Sequence, residues 1–214
     1  VWMISSSLPS FALADGITQK NLSRSESAAG AKLRLRTADF SSPAALSASD
    51  RETYLASTRF VHPQNEQIRG IAKRISREKD PVLAAEEFVS DFIVNKELGM
   101  PLATDLQVLS LRAGDCKEHA VLLVSILRSA GIPSRAVAGM VLLPSFAGRT
   151  NVFGVHTWAA APAEGEWLLA DATFAGQRRP NRYIALANHS LKTASPLDYM
   201  DAVSRIQNLA VTRD

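Results

Sequence analysis

The stretch GDCKEHAVLLVSILRSAGIPSR, residues 114–135, decides how this 214-residue chain is read. Asp115 stands where a helix N-cap belongs, and Glu118 three residues later can reach back to it, the pattern of a capping box. From Ala120 to Leu127 the residues are almost wholly apolar, so the helix they form must be buried on all sides rather than along one stripe. Gly131 suits the left-handed position just past a helix end, and Pro133 prevents the helix from resuming. The spacing predicts a central core helix whose first residue is Cys116.

Upstream, after His62-Pro63, the residues Ile68, Ile71 and Ile75 recur at helical spacing. Asp80-Pro81 supplies an N-cap and a proline at the first helical position. The helix that follows turns Phe88, Val89 and Phe92 to the core and is expected to stop at Gly99, with Pro101 beyond, before a helical turn over Asp105 to Leu109. Downstream, Arg135–Leu143, Val152–Ala161 and Glu166–Thr173 read as strands, with Pro162–Gly165 as the hairpin loop between the last two. Tyr183–Ala187 reads as a fourth strand, and Ser195-Pro196-Leu197-Asp198 as a helix start with Tyr199, Val203 and Ile206 on its apolar side. Helices first and an antiparallel sheet afterwards predict an α+β fold. Residues 15–60 are rich in Ser, Ala and charge and hold one alternating stretch, Lys32 to Arg36, read as an edge strand. The chain thus divides into a leading segment 1–14, an extension 15–60 and a main domain 61–214.

Apolar residues make up 46% and charged residues 21%, the balance of a globular protein with a sizeable core. A net charge of +3, spread over scattered basic residues without interleaved aromatics, argues against nucleic acid as a partner. No apolar run approaches the roughly 20 residues that a bilayer span requires. Cys116 is the single cysteine, which excludes an internal disulfide and any zinc site built on two or more thiolates. At the N-terminus, VWMISSSLPSF (1–11) precedes Ala12-Leu13-Ala14, a small-x-small triplet that resembles a signal-peptide cleavage site. On that reading the mature chain begins near Asp15 and works outside the cytoplasm, periplasmic or secreted. On the other, this is an ordinary leading segment and the location is cytoplasmic.

Position gives Cys116 its chemical interest. At the start of a helix, unpaired N–H groups and the positive end of the dipole favour a thiolate over a thiol. The same N–H groups suit an oxyanion formed when an acyl group is attacked, and Gly114 leaves room for substrate. A nucleophilic thiol needs a base and the base an orienting group. With a four-residue loop at Pro162–Gly165, Ala161 pairs Glu166 and His156 falls opposite Asp171, within reach of a carboxylate-to-imidazole bond. Trp158 and Trp167 share the faces of His156 and Asp171 and would screen the pair from water. A metal set of Cys116, His119, His156 and Asp171 is the rival, but such mixed sets are uncommon, and neither a metal nor any cofactor is expected.

These blocks, Gly114-Asp115-Cys116, Leu127 to Arg135, His156-Thr157-Trp158, and Trp167 with Asp171-Ala172-Thr173, resemble the transglutaminase-like superfamily over roughly residues 50 to 175. The resemblance implies a papain-like fold with Cys116 as nucleophile, His156 as base and Asp171 as orienter, and Gly114, Asp115, Trp158 and Trp167 about the substrate cleft. It implies a peptidase or amidase acting on a peptide or protein, an inactive binding module using the same cleft, or a cross-linking transglutaminase. Hydrolysis is favoured over cross-linking, because no calcium loop of the D-x-[DN]-x-[DN]-G type is present. The chain departs from the common pattern at Ala160, where many members have glutamate, and at Asp171-Ala172-Thr173, where many have Asp-Pro-Thr; neither removes a member of the triad.

Overall fold

The computed structural model describes residues 2–6, 19–27, 30–37, 46–99, 101–163, 166–177, 179–192 and 209–213. In chain order these form β1 (Trp2–Ser6), β2 (Gln19–Ser27), β3 (Gly30–Thr37), α1 (Ala48–Leu55), α2 (Glu66–Ile75), α3 (Pro81–Phe92), α4 (Asp105–Leu111) and α5 (Cys116–Ser129). There follow β4 (Arg135–Phe146), β5 (Arg149–Ala163), β6 (Glu166–Ala170), a 3-10 turn Ala172–Phe174, a second at Pro180–Arg182, β7 (Tyr183–His189) and β8 (Leu209–Arg213). The layout is mixed helix and antiparallel sheet, with β6-β5-β4-β7 forming one sheet and α5 packed on it.

The capping box expected at Asp115 and Glu118 is present, and α5 is buried from Lys117 to Arg128. Leu122, Leu123, Val124, Ile126 and Leu127 are 0% exposed. Each such side chain contributes about 1.5–3 kcal/mol by leaving water, so this helix dominates the core. Small residues on the sheet face it, namely Ala136, Ala159, Ala161 and Ala170, all in the same cluster, which lets helix and strands approach closely. Period-two alternation sends Val137, Val141, Trp158, Ala160, Trp167 and Leu169 into a second cluster with Tyr183 and Ala185. On the helical side, α2 contributes Ile68, Ile71 and Ile75 at the expected spacing.

Three expectations are corrected. The helix begun by Asp80-Pro81 ends at Phe92, not Gly99. Beyond it the chain is extended: Val94 and Asn95 N–H groups donate to the Arg112 carbonyl, and Gly114 N–H donates to Asn95 O at 3.0 Å. The loop leading to Cys116 thus takes up backbone groups that a longer helix would have used itself. The alternating stretch Lys32–Arg36 is not an edge strand, since β3 lies between β2 and β1 in a second sheet ordered β2-β3-β1-β8. Alternation reports a half-solvated face, and says nothing of which strands flank it. The β5–β6 ladder continues to Ala163↔Glu166, leaving two residues between the strands rather than four. Ala12-Leu13-Ala14 and the helix start at Ser195–Asp198 lie outside the described residues.

Candidate active site

Asp171 follows β6 and caps the 3-10 turn Ala172–Phe174, its carboxylate accepting Thr173 N–H at 2.9 Å. The other oxygen, Oδ2, lies 2.6 Å from His156 Nε2 and accepts the Tyr183 hydroxyl at 2.8 Å. The Asp171 backbone N–H donates to Glu86 Oε1 at 2.7 Å, which ties the main chain at Asp171 to α3. His156, Asp171 and Glu86 are all buried.

Burial alone would push both titrating groups toward neutrality, and it is the largest single influence on each. For Asp171 it is outweighed by the charge of His156 and by bonds from His156, Tyr183 and Thr173 N–H, which together hold the carboxyl below its ordinary range. For His156 it is outweighed by the Asp171 charge and bond, with the Cys116 side chain adding a hydrogen bond and a charge, and the imidazole is raised to about 10. At neutral pH the pair is imidazolium and carboxylate. His156 is flanked by aromatic rings: Trp158 with centroids 6.0 Å apart, Phe174 at 5.4 Å and Tyr183 at 6.1 Å.

Cys116 opens α5 and is partly exposed. Its neighbours are unusually charged for a buried turn. Asp115 accepts Lys117 N–H at 3.0 Å and Gly99 N–H at 3.2 Å, and pairs with the Lys117 ammonium. Glu118 is fully buried and accepts Ala103 N–H at 3.1 Å and Asp115 N–H at 3.0 Å. With these donors taken up, Cys116 N–H has no acceptor among the described residues.

The sequence placed His156 directly opposite Asp171. In the observed register Ala159 pairs Ala170, so extending the ladder puts Trp158 level with Asp171. The contact survives because the slip is two residues, which preserves the face. At Gly114 a Cβ would lie 2.3 Å from Glu118 Cβ, so the glycine makes room for the capping residue, with φ +155°. Asp115 is 9% exposed, Trp158 2% and Trp167 8%. Trp167 carries the Arg135 guanidinium 4.0 Å above its ring and meets Tyr54 edge-on. His119 is brought to α5 beside Cys116, but its Nδ1 is bonded to Asp115 O, and no three His, Cys, Asp or Glu side chains among the described residues form a metal cage.

Two partners of Asp171 went unrecognised in the sequence. Tyr183 read only as the start of a strand, and nothing local marks its hydroxyl. Glu86 did leave a signal: it sits at helical spacing between Val82 and Val89, a charge on the buried stripe of α3.

Residues 69–172 match the family model of the transglutaminase-like superfamily. Among solved structures, a candidate cysteine protease from Cytophaga hutchinsonii is similar, with 15% identity, TM-score 0.56, and coverage of 100% of this chain and 81% of that one. The periplasmic domain of TgpA from Pseudomonas aeruginosa is similar at 21% identity and TM-score 0.53, over 80% of this chain and 68% of that one. The same domain bound to ethylmercury gives 19% identity and TM-score 0.50, over 84% and 73%. No curated protein matches by sequence. These likenesses establish the fold.

Proposed function

We propose that this chain, with its transglutaminase-like core, hydrolyses an amide or peptide bond through Cys116 as nucleophile, His156 as base and acid, and Asp171 as the orienting carboxylate. The observation that carries the reading is the buried 2.6 Å bond between His156 Nε2 and Asp171 Oδ2, with Cys116 acting on the same imidazole from the start of α5.

Since Nε2 is held by Asp171, Nδ1 is the nitrogen that serves the sulfur. The thiol proton rests on His156, and the sulfur attacks the carbonyl carbon of the substrate. The oxyanion so formed takes up Cys116 N–H, a donor oriented in advance by the helix start. His156 then gives its proton to the departing amine, leaving a thioester at Cys116. Water, deprotonated by His156, attacks the thioester and releases the acid. The family match and the fold support cysteine-based acyl transfer in general; hydrolysis of a peptide or protein substrate is the specific reading. An extracytoplasmic site of action parallels the periplasmic TgpA domain.

Labelling with an electrophilic amide probe tests it. Wild-type protein is expected to take up one label at Cys116, Cys116→Ala none, and Asp171→Asn at a rate reduced on the order of 10³–10⁴-fold, as when a triad base loses its orienting charge. Uptake by Asp171→Asn at the wild-type rate rejects the triad. Released acid, without an amide adduct when a primary amine is added, distinguishes hydrolysis from cross-linking. Labelling without turnover of any peptide leaves a binding module.

A further inference from the structure

Resting on the reading of Cys116 as nucleophile, we propose that His119 is a positioning residue that aims the Cys116 N–H at the oxyanion by holding the Asp115 carbonyl. Its place in the helix suggests nothing of the kind, since a histidine within an otherwise apolar buried stretch is ordinarily only packed.

His119 is 1% exposed. Its Nδ1 lies 2.7 Å from Asp115 O, and its own N–H reaches the same oxygen at 3.1 Å. A carbonyl only accepts, so Nδ1 carries the proton. Burial is the chief influence on the ring and keeps it below its ordinary pKa, hence neutral, with Nε2 bare. That Nε2 is buried and has no hydrogen-bond partner among the described residues. A bare buried nitrogen forgoes a hydrogen bond it would have made with water, and an apolar side chain would fill the space without that cost. What histidine adds here is the single Nδ1 bond.

The bond acts through the peptide plane. Asp115 C=O and Cys116 N–H are opposite ends of one rigid group. Two donors fixed on the oxygen therefore set the direction of the hydrogen, and that N–H is the first-turn donor left without an acceptor. If the plane tilts, the sulfur is hardly moved but the oxyanion loses its donor.

Two reactions of the same sulfur separate these effects. Iodoacetamide is attacked at its saturated carbon and alkylates the sulfur: the S–C bond forms, iodide leaves, and no oxyanion develops. p-Nitrophenyl acetate passes through a tetrahedral oxyanion before p-nitrophenolate leaves and the acetyl thioester remains. His119→Leu removes the donor; His119→Asn returns an amide N–H close to the position of Nδ1. The expected result is that His119→Leu keeps its alkylation rate within about twofold while acylation falls by at least about tenfold, toward the 10²-fold loss typical of a deleted oxyanion donor. His119→Asn is expected to regain most of that acylation. Should the leucine variant fail to fold by circular dichroism, His119→Gln, whose amide lies one bond farther out, takes its place with the same expectation. Parallel loss of both rates, or unchanged acylation, overturns the proposal. A wild-type Cys116 inert to both reagents overturns the nucleophile reading itself, and this inference with it.

Discussion

At the scale of single residues, the site is governed by a competition between desolvation and pairing, and pairing wins on both sides of the His156–Asp171 bond. That has a consequence for stability against pH. A histidine raised to about 10 in the folded state stabilises the fold fully below its unfolded pKa of about 6.5, and that contribution is lost as pH rises through about 10. Asp171, held low, contributes above the ordinary carboxylate range and loses its contribution as pH falls through its depressed folded value. In Asp171→Asn the main raising influence on His156 disappears while burial remains, so the sign reverses: the buried imidazole then resists protonation, and stability falls on acidification. Urea midpoints measured from about pH 5 to 10 are expected to decline toward the alkaline end in wild type and toward the acid end in the variant. Matching profiles would mean the ion pair is not formed. The sequence singles out Cys116, His156 and Asp171 because each sits at a local landmark, a helix start or a strand of readable parity. It did not disclose Tyr183, whose hydroxyl reaches Asp171 from a strand across the sheet.

At the scale of elements, the strands must bring His156 and its aromatic surround to the right height, and one glycine permits it. Gly139 pairs with His156 on β4, next to a register shift against β7. A Cβ at that position would lie 2.2 Å from Ile184 O and 2.7 Å from the Trp158 ring. Neither neighbour is a loose side-chain end: one is backbone of the adjoining strand, the other a ring that is 2% exposed beside His156. Gly139→Ala is therefore expected to cost about 1–3 kcal/mol by overpacking and to slow labelling of Cys116, because Trp158 must shift. Thermal melting together with the probe assay checks both parts; an unperturbed melting temperature would show that β7 gives way freely. The helices were more legible than the strands. Capping chemistry at Asp80 and Asp115 is contained within a few residues, and both cap their helices. Strand pairing depends on where a hairpin turns, and a two-residue error in the β5–β6 loop moved every partner while sparing the face.

At the scale of the whole molecule, a buried cation ties separate parts together. Arg128, near the end of α5, is 4% exposed. Its guanidinium donates to Ser134 O at 3.2 and 2.8 Å, to Ala56 O at 2.7 Å and to Ser190 O at 2.7 Å. The segments after α1, before β4 and after β7 thus converge on one planar fork. Burial lowers the group to about 10, so it remains charged at neutral pH. Arg128→Met would leave these carbonyls unpaired at roughly 1–3 kcal/mol each, enough to threaten a marginally stable fold. Arg128→Lys is expected to recover little, because a compact ammonium cannot reproduce the fork. Denaturant titration of both variants checks this; a lysine variant of wild-type stability would show that charge alone suffices.

The sequence by itself determined the core helix, its cap, the placement of Cys116 at its first residue and the order of helices before the β6-β5-β4-β7 sheet. These rest on interactions between residues a few positions apart, and apolar burial acts on the pattern whatever the partner. Tertiary structure alone decided the strand register, the flanking of β3, the early end of α3, and the convergence of Glu86 and Tyr183 on Asp171. Apart from the β5–β6 hairpin, the deciding contact in each of these joins segments distant along the chain, and a buried polar group accepts whichever partner packing delivers, a choice that no local pattern encodes.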